Sequence, residues 1–234
     1  LISADSAFER VADAAAAAFA SAPPYITYRV DVRASPAPLL LPEETHDVSL
    51  RTSDDAALVR DADAGAPKPG EPLPLAPTVD ALAQWAFAFD SGGGHARLRI
   101  AYEQPKQYAA PKPAPGDTVV VASVPGYAIS YAPDDFNRIH LEPVTPAARA
   151  FAAQKDHFVY RDVWFDPLTH LPSRVVLASV DETLTLDYTI AQTHWLLSGF
   201  TYDGRLDASQ GVSEPVHIEA AYSDYDFPAS VPGL

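Results

Sequence analysis

The apolar positions near the start of the chain recur every three or four residues. Phe8, Val11, Ala12, Ala15 and Phe19 share one face, which predicts a helix from Asp5 to Ala20 within an N-terminal segment 1–22. Ser6 and Glu9 stand three apart, the spacing of a capping box that satisfies free amides at a helix start. The alanine run 14–18 adds propensity without bulk, so such a helix can lie close to a sheet or across its mouth. Pro23 and Pro24 end it.

From there the period changes to two. Tyr28, Val30 and Val32 alternate with Arg29, Asp31 and Arg33, the signature of a half-exposed strand. Comparable stretches are expected at 47–52, 57–61, 96–102, 118–124, 127–131, 138–144, 157–165, 173–179, 183–190, 194–202 and 216–222. Short connections in the second half predict antiparallel neighbours. Two proline-rich stretches, 64–77 and 105–117, read as extended loops inside the domain, because strand signals flank both. Between them Val79, Leu82, Trp85, Ala86 and Phe89 keep helical spacing behind Thr78. A further short helix is expected at 146–154, where Pro146 suits a first turn.

These elements predict one mainly β (α+β) domain spanning 1–234. A wide antiparallel sheet of this kind should curl, with the N-terminal helix and one or two short inserted helices covering it. The interior of a curled sheet holds either packed side chains or a ligand. Phe8 and Phe19 of the first helix, Trp85 and Phe89 of the inserted one, and Tyr28, Trp164, Trp195 and Phe200 on strands are the candidates for lining an apolar-ligand cavity. Packed core is the competing account of the same aromatics, and the pattern leaves both open.

Composition narrows the partners. The formal charge of −15 runs against a nucleic-acid partner, whose phosphate backbone is bound by Lys and Arg. No apolar run reaches the length of a transmembrane helix. With no cysteine, thiolate metal sites, disulfides and a cysteine nucleophile drop out. The chain starts at Leu1 and holds no Met, so removal of a signal segment, and a cell-envelope, periplasmic or secreted location, is the expectation.

Catalytic signatures are sparse. His46, His95, His140, His157, His170, His194 and His217 are spread singly, without the close pairing of metal ligands. The acidic pairs at 43–44, 54–55, 134–135 and 181–182 fall near expected turns, where solvation is the simplest account. Tyr222–Asp226 carries alternating acids but not a full calcium ligand set. No glycine-rich phosphate loop or nucleophile elbow appears. The expectation is therefore no enzyme, no cofactor, no metal and no catalytic residue.

The stretch Arg138–Pro143 and the stretch His157–Val175, which joins two strands at an Asp166-Pro167-Leu168-Thr169 turn and reopens at Leu171-Pro172, are followed by a hairpin at 183–202. In this region the chain resembles the outer-membrane lipoprotein carrier (LolA-like) superfamily. That resemblance implies a half-open barrel covered by helices and holding acyl chains. It makes the leading expectation a non-catalytic envelope protein that carries or senses an acyl lipid or a lipoprotein anchor. A periplasmic sensor that contacts another envelope protein through a filled domain is the second expectation. An enzyme built on this fold is the third.

Overall fold

The computed structural model describes residues 2–36, 43–53, 56–60, 126–153, 159–207 and 213–234. Their elements run in the order α1 (Ala4–Ala20), β1 (Tyr25–Ser35), β2 (Glu43–Arg51), β3 (Ala56–Arg60), β4 (Tyr127–Ala132), β5 (Asp135–Pro143), α2 (Pro146–Ala152), β6 (Val159–Phe165), β7 (Pro172–Ala178), β8 (Thr183–Ala191), β9 (His194–Asp207) and β10 (Ser213–Asp226). The described chain is mainly β, its paired strands antiparallel, with two helices. Strands expected at 96–102 and 118–124, the helix at 78–89 and both proline-rich loops lie outside the described residues.

The chain forms two compact units. One contains α1, α2 and strands in the order β7-β6-β5-β4. The other contains β3-β2-β1-β10-β9 and most of β8.

In the first unit α1 packs on β4 and β5. Ala7, Phe8, Val11, Ala12 and Ala15 form its buried stripe, and the small alanines let the helix backbone approach the strands. Phe8 and Val11 are wholly buried, each contributing about 2 kcal/mol by area. The helix start differs from the expected one. Ser3, not Ser6, supplies the cap, its hydroxyl accepting from the Ser6 amide at 3.2 Å. Ser6 lies inside the first turn, so the box one would build from Ser6 and Glu9 begins three residues too late.

The β6–β7 connection is built around Asp166. One carboxylate oxygen accepts from the Leu168 amide (3.0 Å), the Thr169 amide (2.7 Å) and the Thr169 hydroxyl (3.0 Å). His170 follows at φ 61° and stacks on Phe165 with centroids 6.1 Å apart. These bonds, first the Thr169 amide and then its hydroxyl, hold the Asp166 carboxyl below the usual carboxylate range.

Before β4 the chain turns at Gly126, φ 84°. Its carbonyl accepts from the amides of Val144 and Thr145. Thr145 then caps α2, accepting from the Ala148 amide, with Pro146 opening the helix. The helix stops at Ala152, two residues short of the expected 154.

In the second unit the C-terminal residues lie against β2 and β3. Val231 is buried, and a Cβ added at Gly233 would meet a Leu58 methyl at 3.3 Å. Ser49 is nearly buried although Val48 and Leu50 point to the other face of β2. The β8–β9 hairpin turns at Gln192 and Thr193, φ 49° and 79°, the pair of left-handed residues that matches strand twist in a two-residue turn.

Candidate functional site

One face of the second unit brings together polar groups that the sequence spacing keeps apart. Along β1, Ile26, Tyr28, Val30, Val32 and Ala34 are buried, while the intervening side chains are more exposed. Antiparallel register then fixes what stands beside each. Tyr28 is opposite Val48; Val30 is flanked by His46 on β2 and Tyr222 on β10; Val32 is flanked by Glu44 and Ala220. Ala220 in turn faces Phe200 on β9. The result is an apolar surface crossed by a polar row, His46–Val30–Tyr222, with Glu44 one step along from His46.

A bulge in β10 enlarges the aromatic part of this face. Thr27 pairs with Asp226 and Arg29 with Ser223, so β10 spends three residues where β1 spends two. Asp224 takes the extra position at φ 55°, a conformation that Asp tolerates better than most residues. Residues three apart, Tyr222 and Tyr225, thereby both meet Tyr28, each with ring centroids at 5.6 Å. Phe200 lies 6.4 Å from the Tyr222 ring.

The hydroxyls fare differently. Tyr225 donates to the Leu197 carbonyl. Tyr222 is 8 % exposed, and its hydroxyl has no hydrogen-bond partner among the described residues. Burial pushes both phenols well above their ordinary pKa, with the neighbouring Tyr28 adding to the shift. The Tyr222 oxygen therefore keeps its proton and remains a donor.

His46 is 3 % exposed. Its Nε2 lies 2.8 Å from Glu44 Oε2, and the Glu44 side chain retains only 9 % of its exposure. A carboxylate at that distance makes Nε2 the donor. Nδ1 is buried and has no hydrogen-bond partner among the described residues. The acidic pair 43–44 is thus not a solvated turn: both residues belong to β2, and strand alternation turns Glu44 inward beside His46.

The arginines described on these strands are on the other side. Arg29 and Arg33 on β1, Arg51 on β2 and Arg205 on β9 occupy the positions alternate to the buried set. Arg29 bonds Asp47 at 3.0 Å and approaches Asp224 at 3.8 Å. With Asp226, Ser49, Val231 and Tyr28 these residues line an open cleft of about 420 Å³ beneath the C-terminal residues. The acids at 224 and 226, weighed in the sequence as weak calcium ligands, thus share this cleft with an arginine. Among the described residues no group of three or more His, Asp or Glu side chains is arranged to hold a metal.

The aromatics expected to line a cavity separate into distinct settings. Tyr28 and Phe200 belong to the face just described. Phe8 is in the core of the first unit. Trp164 is half-buried on β6 at a position alternate to the buried Val163 and Phe165, with the Arg138 guanidinium 5.3 Å over its ring. Trp195 stacks on Tyr188 at 4.3 Å in the β8–β9 hairpin. The Phe19 side chain, Trp85 and Phe89 lie outside the described residues.

Tyr222, Tyr225, Glu44 and His46 escape a sequence reading, which meets Tyr222 only as part of the weak calcium pattern. Tyr225 does so because a period of two sends it to the face opposite Tyr222. Glu44 and His46 do so because polar residues at i and i+2 on a strand resemble an exposed face. A strand that is polar at 44 and 46 and apolar at 48 and 50 is the signal that could have found them.

Other histidines have local partners. His140 on β5 lies 3.0 Å from Asp162 on β6, and His194 meets Phe227 edge-on at 4.6 Å. His217 is held between Asp203 (2.6 Å) and Glu219 (3.1 Å) on the exposed side of β9 and β10. No family model, curated protein or solved structure matches the chain.

Proposed function

We propose that this protein is a non-catalytic carrier or sensor of an apolar ligand, an acyl lipid or a lipoprotein anchor, acting in the cell envelope. The single observation that carries this reading is that two buried polar atoms on one strand face, Tyr222 Oη and His46 Nδ1, have no hydrogen-bond partner among the described residues. Leaving such a group unpaired costs about 1–3 kcal/mol, and native interiors rarely tolerate it without a use. An amphiphile that reached this face would bring a polar group to the two atoms.

Affinity would come from burial of the chain, about 0.8 kcal/mol per methylene. No residue on the face needs to act as acid, base or nucleophile. Among the described residues no helix is long and apolar enough to cross a membrane.

The test is native mass spectrometry of the full chain with added 1-monooleoylglycerol and oleate. A one-to-one complex that survives gentle activation supports the reading. An unchanged apo mass with every acyl compound, together with no copurifying lipid on organic extraction, removes it.

A further inference from the structure

We infer that the cleft beneath the C-terminal residues is a binding site for an organic cation that carries N–H donors, an ammonium or guanidinium group. Its floor is on the opposite side of the pleat from Val30, and the inference is independent of the apolar-ligand reading.

The cleft encloses about 420 Å³ and opens to solvent. Strand register lays its floor down as two neighbouring rungs. Ser49, Thr27 and Asp226 form one; Asp47 and Arg29 belong to the other, with Asp224 beside them in the β10 bulge. The C-terminal residues supply a wall, with Val231 buried and Gly233 against the Leu58 methyl. Ser49 is only 9 % exposed, on a face of β2 where Thr45 and Asp47 are open to water. Its side chain lines the cleft, and its hydroxyl makes no hydrogen bond among the described residues.

Charge and donor count then select the occupant. Three carboxylates, Asp47, Asp224 and Asp226, face the single guanidinium of Arg29, which leaves a net of −2. Arg29 is committed to Asp47 at 3.0 Å and stands 3.8 Å from Asp224, and Asp226 has no ion pair among the described residues. Ionised carboxylates only accept hydrogen bonds, and the Ser49 hydroxyl accepts as well. An anion would meet two acids without a counter-charge. A bare metal ion needs oxygens converging on one point, and among the described residues no three acids converge. An ammonium or guanidinium group carries the required charge and points several donors in different directions.

The experiment titrates the isotope-labelled full chain at pH 7 and low salt with four probes of equal charge: agmatine, acetyl-Arg-Arg-amide, hexamethonium and calcium. NMR shifts at Ser49, Thr27 and the Arg29 side chain report occupancy. At least one of the two N–H probes should bind about ten-fold tighter than hexamethonium, which has no N–H, and than calcium. Binding of agmatine alone assigns a free amine, and binding of the dipeptide assigns a basic side chain of a partner. Asp224→Asn with Asp226→Asn should weaken the preferred probe by about five-fold, since Asn tolerates the positive φ at 224. Asp226→Asn alone, at a residue with no ion pair to lose, should give about two-fold, and Ser49→Ala about two- to three-fold. Removing as much charge from exposed positions on α1, by Asp5→Asn with Asp13→Asn, should change binding by less than about two-fold. Failure of both N–H probes to bind, equal binding of hexamethonium or calcium, or a loss as large in the α1 variant overturns the inference and leaves the apolar-ligand reading untouched.

Discussion

His46 and Tyr222 stand on either side of Val30 in one cross-strand row, and each buries a hydrogen-bonding atom that no described neighbour answers. Neither residue is near the other in sequence, and nothing in either segment alone signals the pairing. The row exists because β2 and β10 both pair with β1 in registers that bring 46 and 222 to the same rung.

Removing the Tyr222 hydroxyl should stabilise the ligand-free protein. The oxygen is buried without a partner among the described residues, so Tyr222→Phe relieves a desolvation cost and keeps the ring contacts with Tyr28 and Phe200. The expected gain is about 1 kcal/mol, measured by urea unfolding at pH 7. A loss of that size would show that the hydroxyl is hydrogen-bonded in solution.

His46→Leu should have the opposite effect. It strips the buried Glu44 carboxylate of its imidazole partner at 2.8 Å, and breaking a buried pair from one side costs about 3 kcal/mol. The double substitution Glu44→Leu with His46→Leu should recover part of that loss, because an apolar pair needs no solvation. If the double variant were no more stable than the single one, the pair would not be the source of the effect.

Gly126→Ala tests the entry to β4. The new Cβ would collide with the Thr145 side chain and approach the Ala148 Cβ at 2.9 Å, on a backbone at φ 84°. The expected destabilisation is about 1–3 kcal/mol, with loss of the Thr145 cap on α2. A neutral result in thermal unfolding would rule out that turn geometry.

The pH dependence of stability should carry two signatures of opposite sign. Hydrogen bonds from Asp203 and then Glu219 raise the His217 pKa above 6.5. Its contribution is therefore fully present below the unfolded imidazole value and fades as pH rises through the higher folded one. His217→Gln should flatten that part of the melting-temperature profile, and an NMR titration of the ring should show the raised value. A ring titrating at or below 6.5 would contradict the bridge.

Asp166 works the other way, since its folded pKa is depressed by the Thr169 and Leu168 bonds. Its contribution is present above the unfolded carboxylate value of 3.8 and is lost as pH falls through the lower folded one. Asp166→Ala should lower the melting temperature at pH 7 and have little effect near pH 2. Equal effects at both pH values would show that the carboxylate charge is not what the turn uses.

Where one local rule sufficed, the sequence was legible. Helical spacing at Phe8, Val11 and Ala15 located α1, and alternation located all ten described strands, because each signal needs only neighbours along the chain. The Asp166 turn was readable for the same reason, its bonds reaching no further than three residues. Ser3 was missed as the cap because Ser6 with Glu9 offers a stronger textual pattern three residues on.

The candidate site was only partly legible. Tyr28 and Phe200 were singled out as aromatics, yet Trp164 and Trp195, equally prominent in the sequence, take up an arginine and a tyrosine instead. By itself the chain determined that β1 has an apolar face, through Tyr28, Val30 and Val32. Tertiary structure decided what that face confronts: strand pairing set His46 and Tyr222 beside Val30, and one extra residue at Asp224 turned Tyr225 inward. Side-chain period is a local property of a strand, whereas register and bulges are settled between strands distant in sequence.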